Sequence, residues 1–219
     1  MPPLCVIAGA MEPGPIAPLP DNALLIAADG GLEHLRRRGL TPHLIVGDFD
    51  SLDHVPQGDN VIRHPVEKDD TDAMLAVKTG LERGYETFVL YGCLGGRLDH
   101  AYANLQALVY LAARGAAGWL LGENLAVTAV RCGRLDFAPG REGTISVFCP
   151  DGEARGVTLA GLYYPLRDAV LTSAFPLGVS NRFTGGPASV SVEEGTLLVM
   201  WDQPDGTLPE QLAASEKCE

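Results

Sequence analysis

A chain of 219 residues, 46% hydrophobic and 20% charged, can bury a real core as one large domain or two small ones. Its net charge of -12 argues against nucleic acid as a partner, because phosphates demand a basic surface; phosphorylated small molecules stay open, since a bound metal can supply positive charge. No apolar run reaches membrane-spanning length, no basic segment leads into an apolar stretch at the N-terminus, and the 5 cysteines are scattered without a C-x-x-C pair, so the expectation is a cytoplasmic protein with free thiols, no membrane span, no signal peptide and no zinc site.

The first half alternates two patterns. Leu4–Ala8, Leu24–Ala28, Leu44–Val46 and Phe88–Tyr91 are short apolar runs bounded by Gly, Asp or Pro, and they read as buried strands. Between them lie helical patterns. Gly31–Arg38 ends in basic residues and stops at Gly39. Thr71–Arg83 carries Met74, Val77 and Leu81 and stops at Gly84. Asp99–Arg114 carries Ala101, Leu105, Leu108, Val109 and Ala112 and stops at Gly115. Strand–helix–strand repetition predicts a mostly parallel sheet with helices on its faces.

The pattern changes at Gly122-Glu123-Asn124. Beyond it come short β-type runs, Ala126–Arg131, Thr144–Cys149, Val157–Leu159, Ala169–Leu171, Ser189–Val192 and Leu197–Trp201, punctuated by turn residues such as Pro139-Gly140 and Pro150-Asp151-Gly152. They predict a C-terminal antiparallel β-sandwich or barrel. The organisation read from the chain is therefore an α/β domain over residues 1–122, a β domain over 123–203, and a polar tail over 204–219.

Ligands of open parallel sheets bind beyond the carboxyl ends of the strands, and three features fall there. Asp29-Gly30-Gly31 follows the second strand; it offers backbone N–H groups to an anion, or is a plain turn with Asp29 as N-cap and the glycines supplying unusual dihedrals. Gly47-Asp48-Phe49-Asp50-Ser51 follows the third. Its alternation puts Asp48 and Asp50 on one side and packs Phe49 inward. Gly92–Asp99 is a Gly-rich loop opening a long helix. Arg97 suits a phosphate; the loop fits neither the P-loop nor G-x-G-x-x-G, and Asp99 reads equally as a cap. Asn104, about one turn into that helix, is either a polar surface residue or a ligand contact.

Lys68-Asp69-Asp70-Thr71-Asp72 precedes a helix. Asp70 or Thr71 caps it, yet the set holds more charge than capping needs. Lys68 suits a phosphate as a point charge or a solvated place beside Asp69. Carboxylates gathered this way repel one another unless a cation lies between them, and hard oxygen donors suit Mg²⁺, which also binds substrate phosphates.

Taken together, the segments Ala28-Asp29-Gly30-Gly31, Gly47-Asp48-Phe49-Asp50-Ser51, Lys68-Asp69-Asp70-Thr71-Asp72, Gly95-Gly96-Arg97-Leu98-Asp99-His100 with Asn104, and Gly178-Val179-Ser180-Asn181 resemble the thiamine pyrophosphokinase family. The likeness extends from the first strand to about Trp201. It implies an α/β catalytic domain and a β-sandwich domain, a homodimer with active sites between subunits, and transfer of diphosphate from ATP to thiamine with release of AMP. It further implies that Asp48, Asp50 and Asp72 form the Mg²⁺ site. Gly30, Gly31, Lys68, Arg97, Asp99 and Asn104 would contact the nucleotide, and Ser180 and Asn181 would line the thiamine pocket. Asp72 or Asp99 would orient the attacking hydroxyl. Two alternatives stand beside it: a pterin-type diphosphokinase, and a non-catalytic module that binds nucleotide or metal.

Overall fold

The structure, a computed structural model, describes residues 3–49, 56–63 and 70–203. Asp50, Lys68 and Asp69 lie outside the described residues.

The fully apolar runs became strands buried along their whole length: β1 (Leu4–Ala8), β2 (Leu24–Ala28), β3 (Leu44–Gly47), β5 (Thr87–Tyr91) and β6 (Ala117–Leu121), with the less buried β4 (Val61–Arg63) at the margin. They pair in parallel in the order β6-β5-β1-β2-β3-β4. Among the described residues three helices connect them: α1 (Gly31–Arg37), α2 (Asp72–Glu82) and α3 (Leu98–Ala112). Each is followed by the glycine at which the pattern stopped, and Gly39, Gly84 and Gly115 all have positive φ.

Crossover handedness sets the faces. β2–α1–β3 steps one way along the sheet, whereas β4–α2–β5 and β5–α3–β6 step the other way. Right-handed crossovers then place α1 on one face and α2 and α3 on the opposite one. The two cores agree. Ile7, Ile26, Val46, Phe88 and Leu90 pack with Val77 of α2 and Leu108 and Leu111 of α3. Val6, Leu25, Ala27, Val89 and Tyr91 belong with Leu32 and Leu35 of α1.

The remaining strands are β7 (Leu125–Arg131), β8 (Arg134–Phe137), β9 (Thr144–Phe148), β10 (Glu153–Ala160), β11 (Leu166–Thr172), β12 (Gly178–Arg182), β13 (Ala188–Ser191) and β14 (Thr196–Asp202). Here the sheet does something the change of pattern at Gly122 does not suggest. β7 pairs antiparallel with β6 (Leu121 opposite Ala126), and β14, β9 and β12 extend the same sheet to ten strands. A second, four-stranded sheet, β11-β10-β13-β8, closes the sandwich. Its core continues the cluster on the α1 face: Leu197, Val199 and Trp201 of β14 point into it, while Leu198 and Met200 face the other way. Trp201 and Phe183 meet Phe137 edge-on at 5.4 and 5.0 Å. By contrast Tyr163 and Tyr164 are exposed.

Two details depart from the sequence reading. Ser180 and Asn181 lie in a strand, β12, that is not among the β-type runs read from the sequence. The expected free thiols hold for Cys5, Cys93 and Cys149, all buried, but Cys132 is disulfide-bonded.

Candidate active site

β1 pairs with β2 on one side and β5 on the other, and the order of strands along the chain reverses between them. The loops leaving β1 and β5 therefore part company at this point and open a crevice beyond the carboxyl ends. A cleft of about 260 Å³ sits there. Gly9, Ala10 and Met11 line one side; Gly92, Cys93, Gly95, Arg97, His100 and Asn104 line another; Asp29, Thr71 and Asp72 complete it.

Asp29 arrives by a strained turn. It has φ 46, and its N–H donates to Val46 O at 2.9 Å, tying the end of β2 to the end of β3. It does not cap α1 as the sequence suggested. The cap is Gly30, in a right-handed conformation with no side-chain bond. The unusual dihedral belongs to the aspartate, so neither glycine supplies it. Gly31 has a different reason to be glycine: a Cβ there would lie 1.9 Å from Ala8 O, so α1 starts hard against β1. Gly30 and Gly31 thus pack behind Asp29, which itself faces the cleft.

The neighbouring acidic turn is strained in the same way. Phe49 has φ 64 and is buried, as the alternation predicted. A Cβ at Gly47 would press within 3.3 Å of both Asp29 Cα and the Phe49 ring. Asp48, half-buried, is held between this glycine and this anchored ring. Positive φ at a bulky residue costs about 1–3 kcal/mol and persists only where packing dictates it; such strain gathers at functional sites.

The third acidic segment divides its labour. Asp70 is bound by Lys78 at 2.8 and 2.6 Å. Thr71 is the cap, its Oγ1 accepting from Met74 N–H at 3.2 Å. Asp72, the first residue of α2, lines the cleft.

In the Gly-rich loop, Gly92, Gly95 and Gly96 all have positive φ. Asn104 is buried, and its Nδ2 donates to Cys93 O at 2.7 Å, so it holds the loop while lining the cleft. Burial pushes the Cys93 thiol up to about 12. Arg97 donates to both carboxylate oxygens of Asp99, at 3.2 and 2.7 Å. That hydrogen bond is the main reason the Asp99 carboxyl is held down to about 2. The cap of α3 is Arg97, and Asp99 sits inside the first turn.

Ser180 and Asn181 stand elsewhere. β12 is the far edge of the ten-stranded sheet, five strand spacings from β5, or roughly 24 Å. Ser180 is exposed with φ 58. Asn181 is buried: its Oδ1 accepts from Tyr164 N–H and Arg182 N–H, both at 2.9 Å, and its Nδ2 donates to Tyr164 O at 2.7 Å. Its amide therefore shapes the Tyr163–Tyr164 turn, and Arg182 stacks on the Tyr163 ring 4.4 Å from the centroid.

Among the described residues no group of three or more His, Cys, Asp or Glu is gathered to hold a metal ion. The donors that are present, Asp29 and Asp72 in the cleft and Asp48 at the adjacent strand end, are hard carboxylate oxygens of the kind Mg²⁺ prefers, so the chemistry fits that ion.

Comparison with known proteins gives this geometry a family. The family model for the thiamin pyrophosphokinase catalytic domain matches residues 18–118, and that for the thiamin pyrophosphokinase vitamin B1 binding domain matches residues 134–197. Together they span well over half of the chain. The chain belongs to the thiamin pyrophosphokinase family. A Bacillus subtilis relative, thiamine pyrophosphokinase, is 26% identical over 187 residues, covering 82% of this chain and 87% of the relative. The crystal structure of thiamine pyrophosphokinase from Bacillus subtilis superposes with a TM-score of 0.79 at 24% identity, covering 91% of this chain and 98% of that one. That of thiamin pyrophosphokinase from Geobacillus thermodenitrificans gives 0.74 at 24% identity, covering 94% and 100%. These two likenesses concern the fold. Thiamin pyrophosphokinases are diphosphotransferases of the kinase type, and the matches carry this reading rather than the pterin or non-catalytic alternatives.

Sequence reasoning missed the segment after β1. Gly9, Ala10 and Met11 line the cleft, yet none belongs to a charged or Gly-rich motif. The signal available was positional: a loop with Pro and Gly at the carboxyl end of the first parallel strand.

Proposed function

We propose that this protein transfers a diphosphate group from ATP to the hydroxyethyl oxygen of thiamine, giving thiamine diphosphate and AMP. The observation that carries this is the cleft at the β1/β5 reversal, where Asp29, Asp72 and Arg97 converge on one small volume in a chain of this family. The oxygen of thiamine bonds to the β-phosphorus, the bond from that phosphorus to the α,β-bridging oxygen breaks with its electron pair leaving on AMP, and the hydroxyl proton passes to solvent.

The α/β part, residues 1–122, takes ATP. Asp48, Asp50 and Asp72 would hold Mg²⁺, which when bound neutralises triphosphate charge. Diphosphoryl transfer needs positioning and charge neutralisation more than covalent catalysis. Arg97 grips phosphate oxygens once it leaves Asp99, and the released Asp99 carboxylate is then free to orient the thiamine hydroxyl. Asn104 keeps the 92–97 loop in place beneath the phosphates.

The sandwich, residues 123–203, takes thiamine. Within one chain, Ser180 lies roughly 24 Å across the sheet from the cleft, too far to share a substrate. A second copy that brings its β12 to this cleft resolves the separation. Val170, Phe175, Leu177 and Val179, exposed on β11, β12 and their connection, supply an apolar surface for such a homodimer. Use of ATP fits a cytoplasmic location, and among the described residues no helix is long and apolar enough to cross a membrane.

The test is product analysis with thiamine, ATP and Mg²⁺. Equal amounts of thiamine diphosphate and AMP, abolished by chelation, support the proposal. ADP with thiamine monophosphate, or neither product, refutes it.

A further inference from the structure

The loop after β1 is fastened from two sides. Toward the sheet, Gly9 N–H donates to Tyr91 O at 2.8 Å and Met11 N–H donates to Gly92 O at 3.0 Å. Toward α1, two side chains one helical turn apart converge on it. His34 is buried, and its Nε2 lies 2.9 Å from Ala10 O. A carbonyl oxygen only accepts, so Nε2 carries the proton. His34 Nδ1 faces Glu12 Oε2 at 3.3 Å, and forms an ion pair there when it too is protonated. Arg38 donates from Nη2 to Glu12 Oε1 and to Gly14 O, the latter at 3.1 Å, and from Nη1 to His34 O at 3.1 Å. Leu32 and Leu35 already seat α1 on the sheet. The polar contacts therefore serve the loop.

We propose that His34 and Arg38 are positioning residues for the donor nucleotide, acting through Ala10 O and Glu12 to hold Gly9, Ala10 and Met11 as one wall of the cleft. This rests on the reading that the cleft takes ATP. Glu12 is mostly exposed, so its ion pairs add little global stability. What they change is how often the wall is in place. The apparent affinity of a ligand falls in proportion to the fraction of protein in the competent conformation. If the unclasped loop holds its position about a fifth of the time, the KM for ATP rises about fivefold while bound complexes react at the normal rate.

The experiment uses the full chain as wild type and as Glu12→Ala, Arg38→Gln, the double variant and His34→Gln. It reads kcat, the KM for ATP at saturating thiamine, and amide hydrogen exchange over residues 9–14. Glu12→Ala changes an exposed side chain, so its folding is secure. The expected result is a KM raised about fivefold by Glu12→Ala or Arg38→Gln with kcat within about twofold, and a double variant no worse than either single one. Exchange over 9–14 quickens in step. His34→Gln, whose amide N–H groups still donate, stays nearer wild type than Glu12→Ala. Unchanged exchange in Glu12→Ala would show that the clasp does not hold the loop. Faster exchange with an unchanged KM would show that the loop does not form the nucleotide wall. A wild type that makes no AMP would overturn the functional reading, and the positioning role with it.

Discussion

Replacing Asp72 by Asn separates a role in chemistry from a role in folding. Asp72 opens α2, but the capping bond belongs to Thr71, whose Oγ1 accepts from Met74 N–H, and the anchoring ion pair belongs to Asp70 with Lys78. The substitution therefore keeps the cap, the ion pair and the side-chain volume. It removes one negative charge from the first turn, worth about 0.3–1 kcal/mol against the helix dipole. In a chain of this size that lowers Tm by about 1–4 °C. The effect on turnover is of another order when the carboxylate acts through Mg²⁺ on the reacting phosphates, as proposed. Removing one preorganised charge-stabilising group costs about 2.7–4 kcal/mol in the transition state, or about 10²–10³ in kcat. Thiamine diphosphate formation is followed chromatographically across a Mg²⁺ series, and Tm by thermal unfolding. A kcat within about threefold of wild type would refute the placement of Asp72 in the chemistry.

Gly31→Ala should destabilise the protein by about 3 kcal/mol or more, because the new methyl group would lie 1.9 Å from the Ala8 carbonyl oxygen; urea unfolding with a loss below about 1 kcal/mol would contradict the close seating of α1. Burial raises the thiols of Cys5 and Cys93 to about 12, so both should stay unalkylated by iodoacetamide at pH 8 until the protein unfolds, as mapped by mass spectrometry. Asp99 is held down to about 2 by Arg97, so the pair should persist through neutral and mildly acidic pH and break only as pH falls toward that value. Arg97→Gln, or saturation with ATP if Arg97 turns to phosphate, should raise the Asp99 titration toward the ordinary carboxylate range in NMR; no change with ATP would argue against the exchange of partners.

The legibility of the chain followed how local the deciding physics is. β1, β2, β3 and β5 were plain because strands covered on both faces need only be apolar, and the helix stops were plain because Gly39, Gly84 and Gly115 act on their own. β6 was missed: Ala117 and Gly118 precede Trp119, and the run lacks the β-branched residues that mark a strand. β10 read as three residues and spans Glu153–Ala160, because register shifts around Val157 break its alternation. The Tyr163–Tyr164 turn shows a structural task of Asn181 that its sequence did not reveal. A polar residue in a polar stretch gives no sign that its amide is spent on backbone 17 residues away. The clasp of loop 9–14 was hidden for the same reason, since His34 and Glu12 are 22 positions apart and Gly31–Arg38 reads only as a short helix ending in basic residues.

The two strained turns show why the acidic motifs take the form they do. An aspartate at the end of a parallel strand would ordinarily continue into a flexible loop, with its carboxylate placed by chance. Asp29 and Asp48 instead follow neighbouring strands β2 and β3, and the Asp29 N–H bond to Val46 O locks one turn to the other. Phe49 then buries its ring on the α1 face, which fixes the backbone of Asp48 from below. Gly47 is the residue that lets both approaches occur at once. The positive φ at Asp29 and Phe49 together forgoes about 2–6 kcal/mol, a large share of the stability of an ordinary domain. A chain that only needed a turn would relieve that strain with a glycine or asparagine. Retaining aspartate and phenylalanine makes sense where the direction of a carboxylate matters more than the energy of the turn, as the proposed use of Mg²⁺ and ATP would require.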